Sequence, residues 1–231
     1  MHSLSHSFLF RHLQPPSSPP PPPAPSSPPL LTALILLNTA GTSAAFVRAL
    51  WGGASVVIAA DGAANRLRAS LAGDAARYLP SYICGDLDSV TGDTLAFYGA
   101  LGVRIERDAC QEKGDLQKSL MRLKALQAER GVRYRVAVLG AFGGRFDQEA
   151  QNLNALFRED LTGPFEQVVL LSEECIAARL AEGELGLAER GMRRAVSHSL
   201  LCGQPSLFLW GGMSRAHTTT TTTLQARRTF S

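Results

Sequence analysis

Residues 83–90 read ICGDLDSV, so that Asp86 and Asp88 stand two positions apart, directly after a short apolar run and a glycine. Two carboxylates this close repel each other unless solvent, hydrogen bonds or a cation compensates their charge. One interpretation is a solvated turn, in which the two aspartates and Ser89 act as turn and N-cap residues before a helix. The other is a metal ion with phosphates behind it. The remainder of the chain has to distinguish the two.

Apolar runs alternate with helical patterns along most of the chain. We predict strands at 31–37, 55–60, 82–84, 103–106, 134–140 and 166–172, and helices at about 62–71, 91–101, 115–130 and 147–158. Strands that are apolar throughout and alternate with helices are typical of a parallel sheet covered on both faces. The prediction is therefore an α/β fold, an open and mostly parallel sheet with flanking helices. After Ser172 the pattern weakens, and residues 173–196 are compatible with either helix or strand.

Aspartates follow the predicted strands one after another. Those at or just beyond a strand end, together with the one that opens the helix at 115–130, are Asp61, Asp86, Asp88, Asp108, Asp115 and Asp147. Ligands of open parallel sheets bind beyond the carboxyl ends of the strands, so these side chains are candidates for one site. Each also has a local interpretation: Asp61 as an Asx turn, and Asp115 as an acid that favours a helix N-terminus.

Glycines and basic residues share the same strand-to-helix turns. The glycines are Gly62, Gly85, Gly140, Gly143 and Gly144, and their backbone N–H groups can approach an anion closely. Arg66 and Arg145 offer guanidinium groups suited to phosphate oxygens. Lys118 is a further candidate phosphate ligand, although a lysine on a helix more often belongs to a solvated face. Carboxylates for Mg²⁺ with arginines and glycine turns for phosphates point to phosphoryl transfer.

Composition narrows the function classes. The net charge is +3 over 231 residues with no dense basic run, which argues against nucleic-acid binding, and no apolar stretch is long enough to span a membrane. The four cysteines have no zinc-like spacing, and we expect a reducing, cytoplasmic compartment. Histidine is absent between residues 13 and 197, which excludes a Ser-His-Asp triad in that stretch.

The two ends of the chain differ from its middle. Residues 1–30 hold ten of the 13 prolines and predict a disordered Pro/Ser-rich arm, with an organelle transit peptide as the alternative. Residues 31–172 form the predicted α/β catalytic domain. Residues 173–231 include six consecutive threonines and are of partly low complexity.

Several motifs occur in an order that resembles the thiamine pyrophosphokinase family over roughly residues 31–180. They are AADGAANRL at 59–67, ICGDLDSV at 83–90, QEKGDLQKSL at 111–120, GAFGGRFDQ at 140–148 and NLNALF at 152–157. The resemblance implies transfer of pyrophosphate from ATP to the hydroxyl of thiamine, giving thiamine diphosphate and AMP. It implies ATP and thiamine as the ligands, Mg²⁺ as the cofactor and a homodimer as the assembly.

The resemblance also implies roles for individual residues. The expected Mg²⁺ ligands, which also count as catalytic, are Asp86, Asp88 and Asp115, and Asp147 is a fourth catalytic candidate. Either Asp115 or Asp147 would accept the hydroxyl proton. The expected nucleotide and phosphate ligands are Asp61, Gly62, Asn65, Arg66, Gln111, Lys118, Arg145 and Gln148.

The chain departs from the family pattern in two places. Gly114 stands where the family usually has threonine, which predicts a weaker N-cap for the helix at 115–130. The second, β-rich domain that forms the dimer and part of the thiamine pocket would be represented by 173–231, which we expect to be a truncated or degenerate remnant from a frameshifted or mis-spliced reading. Two alternatives to an active thiamine pyrophosphokinase follow: a truncated, non-catalytic nucleotide-binding remnant, and another Mg²⁺-dependent phosphotransferase.

Overall fold

One eight-stranded sheet organises the part of the chain that the structure describes. The structure is a computed structural model and describes residues 28–180 and 206–211. The strand order is β4-β3-β2-β1-β5-β6-β7-β8. The strands are β1 (Leu30–Leu36), β2 (Val56–Ala60), β3 (Tyr82–Gly85), β4 (Arg104–Arg107), β5 (Arg133–Leu139), β6 (Gln167–Leu171), β7 (Cys175–Leu180) and β8 (Ser206–Gly211).

The sheet is mostly parallel, as predicted. Strands β1 to β6 all run in one direction, β7 pairs antiparallel with β6, and β8 runs parallel to β7. Because β1 lies at the centre with β2 and β5 on its two sides, the chain reverses its direction of progress across the sheet there. The carboxyl ends of β1, β2, β3 and β5 consequently lie side by side at one edge, where such a reversal leaves room for a ligand.

Six helices connect the strands in the part of the chain that the structure describes. They are α1 (Ala44–Trp51), α2 (Ala63–Leu71), α3 (Gly92–Ala100), α4 (Asp115–Arg130), α5 (Phe146–Ala155) and α6 (Glu159–Thr162), and a 3₁₀ turn spans Ala72–Arg77. The four predicted helices are present. Helix α1 was not predicted, and its sequence signal is Ser43, whose hydroxyl accepts the Phe46 N–H at 3.2 Å as an N-cap.

Apolar side chains cover both faces of the sheet. Along β1, Leu34 and Leu36 point into the layer under α1, α2 and α3, whereas Ala33 and Ile35 point into the layer under α4, α5 and α6. This alternation is the period of two expected for a strand buried on both sides. The result is a helix–sheet–helix sandwich whose loops at the carboxyl edge carry the polar residues.

The predictions for the two ends of the chain fall largely outside the described residues. Residues 1–27 of the predicted arm lie outside, as do 181–205 and 212–231 of the predicted remnant domain. The stretch with an ambiguous pattern after Ser172 forms strand β7 over Cys175–Leu180. Strands β7 and β8 extend the main sheet, and the domain boundaries remain a prediction. Within residues 28–180 and 206–211, no helix has the length and apolar character needed to cross a membrane.

Helix α4 begins without a side-chain cap. Its N-cap residue is Gly114, with an extended backbone at φ −71° and ψ 163° and no side chain to accept the first N–H groups. A Cβ added there would lie 3.1 Å from Oε1 of Gln151, the movable end of a flexible side chain. A serine therefore fits the position in both backbone conformation and space.

We predict that Gly114→Ser stabilises the protein by about 0.5–1 kcal/mol, because its hydroxyl caps α4 and the unfolded chain loses conformational freedom. Gly114→Ala is the control, since it gives the second effect without the first. Urea unfolding of the full chain measures both. A serine variant no more stable than the alanine variant would show that the cap is not formed.

The core under α4 provides a second prediction. Leu123 is 0% exposed beneath the helix, whereas Met121 on the same helix is 42% exposed. Leu123→Ala should lower the free energy of unfolding by about 2–5 kcal/mol because it opens a cavity. Met121→Ala should change it by less than about 0.5 kcal/mol. Equal losses in the two variants, measured by chemical denaturation, would contradict this packing.

Candidate active site

The carboxylate of Asp86, directly after β3, receives three hydrogen bonds. Its Oδ2 accepts from Nζ of Lys118 and from Nε2 of Gln111, each at 3.4 Å, and its Oδ1 accepts the backbone N–H of Asp88 at 3.2 Å. Partial burial raises the pKa of Asp86, but the Asp88 N–H and the charge and hydrogen bonds of its side-chain donors outweigh that effect. The net result holds the pKa of Asp86 below its usual range, so the group is ionised at neutral pH.

Lys118 lies inside the protein. Its side chain is only 2% exposed although it stands in the first turn of α4, so the interpretation as a solvated helix face is wrong. A buried ammonium group is costly without a counter-charge, and the Asp86 carboxylate 3.4 Å away supplies one. Lys118 thus brings a positive charge under the loop that contains the two aspartates.

Asp61 supplies a buried carboxylate at the end of β2. Its backbone N–H donates to the carbonyl of Cys84 at 2.9 Å, and its Oδ2 accepts the N–H of Ser89 at 3.2 Å. Its Oδ1 is also buried and accepts no hydrogen bond from the described residues. Asp61 has φ +44°, and a Cβ on Gly85 would lie 2.8 Å from its Cβ, so glycine is required at 85 for this close approach.

Asp115, the first residue of α4, completes a cluster of acids. Burial raises the pKa of Asp115, and the negative charges of Asp61 and Asp86 raise it further, against the opposing charge of Lys118. A helix N-terminus by itself favours a carboxylate. The pKa of Asp115 nevertheless rises, so desolvation and repulsion outweigh the helix. Among the described residues, the site therefore has three carboxylates and one buried cation, Lys118.

The predicted ligand Asn65 forms hydrogen bonds within the protein. Its Nδ2 donates to the carbonyl of Ser89 at 2.8 Å, and its Oδ1 accepts from the N–H of Thr91 at 3.0 Å and the hydroxyl of Thr91 at 3.2 Å. These bonds tie α2 to the loop that carries Asp86 and Asp88. Their direct effect is to position that loop.

Arg66 stands on the wall of a cleft. Its Nε donates to Oδ1 of Asn38 at 2.6 Å, and a Cβ on Gly62 would lie 2.4 Å from Nδ2 of the same asparagine. The cleft has a volume of about 360 Å³ and lies between α2 and the loop after β1, with Thr39, Gly41 and Ser70 among its lining residues. A guanidinium at the edge of such a cleft suits an anionic ligand.

The glycine loop, residues 140–145 between β5 and α5, forms the other half of the candidate site. The hydroxyl of Thr39 donates to the carbonyl of Gly140 at 2.6 Å and so fastens the loop to the end of β1. Arg145 and Asp147 follow, and Nε of Arg145 donates to Oδ1 of Asp147 at 3.0 Å with a second contact beside it. The hydrogen bond from Arg145 holds the pKa of Asp147 below its usual range. Both side chains are exposed, at 73% and 54%, and Gln148 is exposed as well.

The structure therefore separates the predicted site residues into groups. Asp61, Asp86, Gln111, Asp115 and Lys118 come together around the ends of β2 and β3. Asp88 joins them only through its backbone N–H. Arg145 ends the glycine loop, and Asp147 and Gln148 follow it in the first turn of α5. The two halves approach where Gly114, before α4, meets Gln151 of α5. Asp108 adjoins the end of β3, where its backbone N–H donates to the carbonyl of Gly85 at 2.7 Å, but its carboxylate acts as a turn residue whose Oδ1 accepts the N–H of Cys110 at 3.0 Å.

Sequence reasoning missed one functional candidate, Glu149. Its Oε1 accepts the backbone N–H groups of Gly143 and Gly144, each at 2.9 Å. The only signal in the sequence is an acid in the first turn of the helix that follows a glycine loop, which more often reflects a preference of helix termini. The convergence of two N–H groups on its carboxylate is a property of the folded loop.

The acidic cluster fits a divalent cation in charge and ligand type. Among the described residues, no three His, Cys, Asp or Glu side chains converge into a ready metal site. Mg²⁺ commonly uses only one or two carboxylates, with substrate phosphates and water as the other ligands. The unpartnered Oδ1 of Asp61 and the repulsion at Asp115 leave negative charge that a cation would compensate.

Comparison with known proteins points to one family. Residues 47–164, just over half of the chain, match the family model described as "Thiamin pyrophosphokinase, catalytic domain". Thiamine pyrophosphokinases 1 and 2 of Arabidopsis thaliana are each 38% identical to this chain over 57% of its length, and thiamine pyrophosphokinase 2 of Oryza sativa subsp. japonica is 35% identical over the same share. The chain spans about half the length of these relatives, 52% in each case.

Solved structures agree on the fold. Thiamin pyrophosphokinase from Candida albicans superposes with a TM-score of 0.55 at 25% identity, over 66% of this chain and 65% of that one. The yeast thiamin pyrophosphokinase superposes with a TM-score of 0.53 at 20% identity, over 72% of this chain and 61% of that one. The second likeness is evidence for the fold alone.

The raised pKa of Asp115 leads to a prediction for stability. Because the folded state binds the Asp115 proton more tightly than the unfolded state, ionisation of this group destabilises the fold as pH rises through and above the usual aspartate range, about 4. Asp115→Asn should therefore be more stable than the natural protein at pH 7, and the difference should shrink towards pH 3.5. Urea unfolding at both pH values measures it. A less stable Asn variant at pH 7 would contradict the repulsion.

Proposed function

The chain belongs to the thiamin pyrophosphokinase family, and we propose that it transfers a pyrophosphoryl group from ATP to the hydroxyl of thiamine, releasing AMP. The observation that carries the proposal is the ion pair between the Asp86 carboxylate and the buried Lys118 ammonium group. This pair lies at the end of β3, beside the carboxylates of Asp61 and Asp115. The same acids that repel one another would bind a metal–triphosphate complex. The activity of the plant relatives named above supports the choice of ATP and thiamine.

The proposed reaction exchanges one bond to phosphorus for another. The hydroxyl oxygen of thiamine bonds to the β-phosphorus of ATP, and the bond from that phosphorus to the oxygen bridging it to the α-phosphorus breaks. The bridging oxygen leaves on AMP with its electron pair. The hydroxyl proton passes to a base, and the β- and γ-phosphoryl groups end on thiamine. Catalysis of such a transfer depends mainly on positioning and on stabilising charge.

We assign phosphate binding to the basic and amide side chains on both sides of the β1 end. Lys118 and Gln111 are held against Asp86 and lie beside the acidic cluster. Arg66 stands on the cleft wall and Arg145 projects from the glycine loop. Gly62, directly before α2, and Gln148, in the first turn of α5, are assigned to the nucleotide. Asn65 is assigned to positioning, because its hydrogen bonds hold the loop of Asp86 and Asp88.

Asp86, Asp88 and Asp115 would hold Mg²⁺, which when bound would neutralise the triphosphate and polarise the transferred group. Asp86 is held in place by its three hydrogen bonds, while Asp115 sits at the head of α4 facing the same space. For the proton acceptor, Asp115 and Asp147 are the two candidates. Asp147 must first leave its pairing with Arg145, whereas Asp115 has no such ion pair among the described residues.

We further propose a homodimer acting in the cytoplasm, without a nucleic-acid or membrane partner. Three cysteines within the described residues, Cys84, Cys110 and Cys175, are free thiols, which fits a reducing compartment. The dimer rests on the family resemblance, and size-exclusion chromatography with light scattering tests it.

The function is tested with the full chain, Mg²⁺, ATP and thiamine, by resolving AMP and thiamine diphosphate. We expect both products in equal amounts, loss of both on chelation of Mg²⁺, and a fall in kcat/KM of about 100-fold or more in Asp86→Asn. Asp160→Asn is the matched control, since Asp160 pairs with Arg158 on the surface at α6. Its activity should stay within about twofold of the natural protein.

Other outcomes point to the alternatives. ATP binding without either product would favour the non-catalytic remnant. AMP or ADP formation that is independent of thiamine would favour another phosphotransferase. No binding of ATP and no product would overturn the proposal for this chain.

A further inference from the structure

The glycine loop after β5 presents two backbone donors to a single oxygen. The N–H groups of Gly143 and Gly144 each lie 2.9 Å from Oε1 of Glu149. Successive N–H groups that converge in this way form a concave site for an anion. Thr39 packs against both glycines, within 3.7 Å of where their Cβ atoms would be, and so supports the loop from the β1 side.

The neighbouring cationic donor is held in a similar way. The Arg145 guanidinium forms a two-point contact with the Asp147 carboxylate, a pairing geometry that phosphate oxygens also satisfy. The loop thus carries three donors suited to phosphate, and a carboxylate of the same helix α5 satisfies each of them. These carboxylates stand at positions 147 and 149, the first turn of α5.

We infer that Glu149 is a positioning residue that occupies, in the free protein, the place of a phosphate oxygen of the substrate on the Gly143 and Gly144 N–H groups. The inference rests on the proposed function. With Glu149 bound, the two N–H groups stay converged instead of turning to water, so the loop is organised before the substrate arrives. The incoming phosphate has to displace the carboxylate, so the apparent affinity is the intrinsic affinity multiplied by the fraction of loops that are free of Glu149.

This role and a purely structural role predict opposite changes in anion affinity when Glu149 is replaced. If Glu149 only capped helix α5, its removal would loosen the loop and weaken anion binding. If it competes with the anion, a weaker competitor should tighten binding. Glutamine at 149 keeps a carbonyl acceptor of the same shape but lacks the charge, and a neutral acceptor holds N–H groups less strongly than a carboxylate.

The test is calorimetric titration of the full chain with inorganic pyrophosphate at fixed Mg²⁺ and salt. Glu149→Gln should bind pyrophosphate roughly three- to tenfold more tightly than the natural protein. Glu129→Gln is the matched control: Glu129 pairs with Arg122 near the far end of α4, so it changes net charge equally without touching the loop. The control should stay within about twofold.

Unchanged or weaker binding in Glu149→Gln, or the same gain in Glu129→Gln, would overturn the inference. A second measurement needs no variant: on saturation with pyrophosphate, nuclear magnetic resonance signals of the Gly143 and Gly144 N–H groups and of the Glu149 carboxyl carbon should all shift. A carboxyl signal that stays unmoved while the N–H signals shift would also overturn it. Because these readouts require no thiamine and no turnover, the inference can fail while the proposed activity holds. Absence of any pyrophosphate binding would overturn the inference alone, since the proposed activity is tested separately with ATP and thiamine.

Discussion

The contact between the buried Lys118 and the partly buried Asp86 is the interaction on which the candidate site depends. It joins helix α4, which packs on one face of the sheet, to the loop after β3, and it supplies the only positive charge found inside the acidic cluster of the described residues. A buried lysine is tolerated only with such a partner, so the pair fixes where α4 can sit over β3. Asp115, three residues earlier on α4, is thereby brought against Asp61 and Asp86.

The two halves of the site handle charge in opposite ways. Around β2 and β3, carboxylates outnumber the cation, and Asp115 is left with a raised pKa that makes its ionised form unfavourable. Around the glycine loop, the donors are already satisfied by Asp147 and Glu149. A metal–polyphosphate complex carries charge of both signs and matches both halves. In the free protein, the carboxylates around β2 and β3 repel one another, while Asp147 and Glu149 take the place of phosphate oxygens at the glycine loop. The repulsion makes the protein less stable than the fold would allow.

Much of the fold could be predicted from the sequence, because strands buried on both faces and amphipathic helices leave strong local patterns. Helix α4 has the predicted bounds, and the parallel order follows from the alternation of elements. Helix α1 was missed because its segment follows a mixed polar stretch. The acidic cluster was predictable, since strand ends in a parallel sheet meet at one edge. The burial of Lys118 was not predictable, because it depends on how α4 packs against the loop after β3, which is distant in sequence. The Glu149 contacts were not predictable either, because their donors are backbone N–H groups, which leave no side-chain signal in the sequence.

The most direct test of the account is a crystal structure of the full chain with Mg²⁺ and an ATP analogue whose α–β bridge is a methylene group. We predict that the metal binds oxygen atoms of Asp86 or Asp115 and of the β-phosphate. We also predict that Lys118 remains within hydrogen-bond distance of Asp86 or of a phosphate oxygen. A nucleotide bound away from the ends of β2 and β3, with the acidic cluster unchanged, would contradict the account.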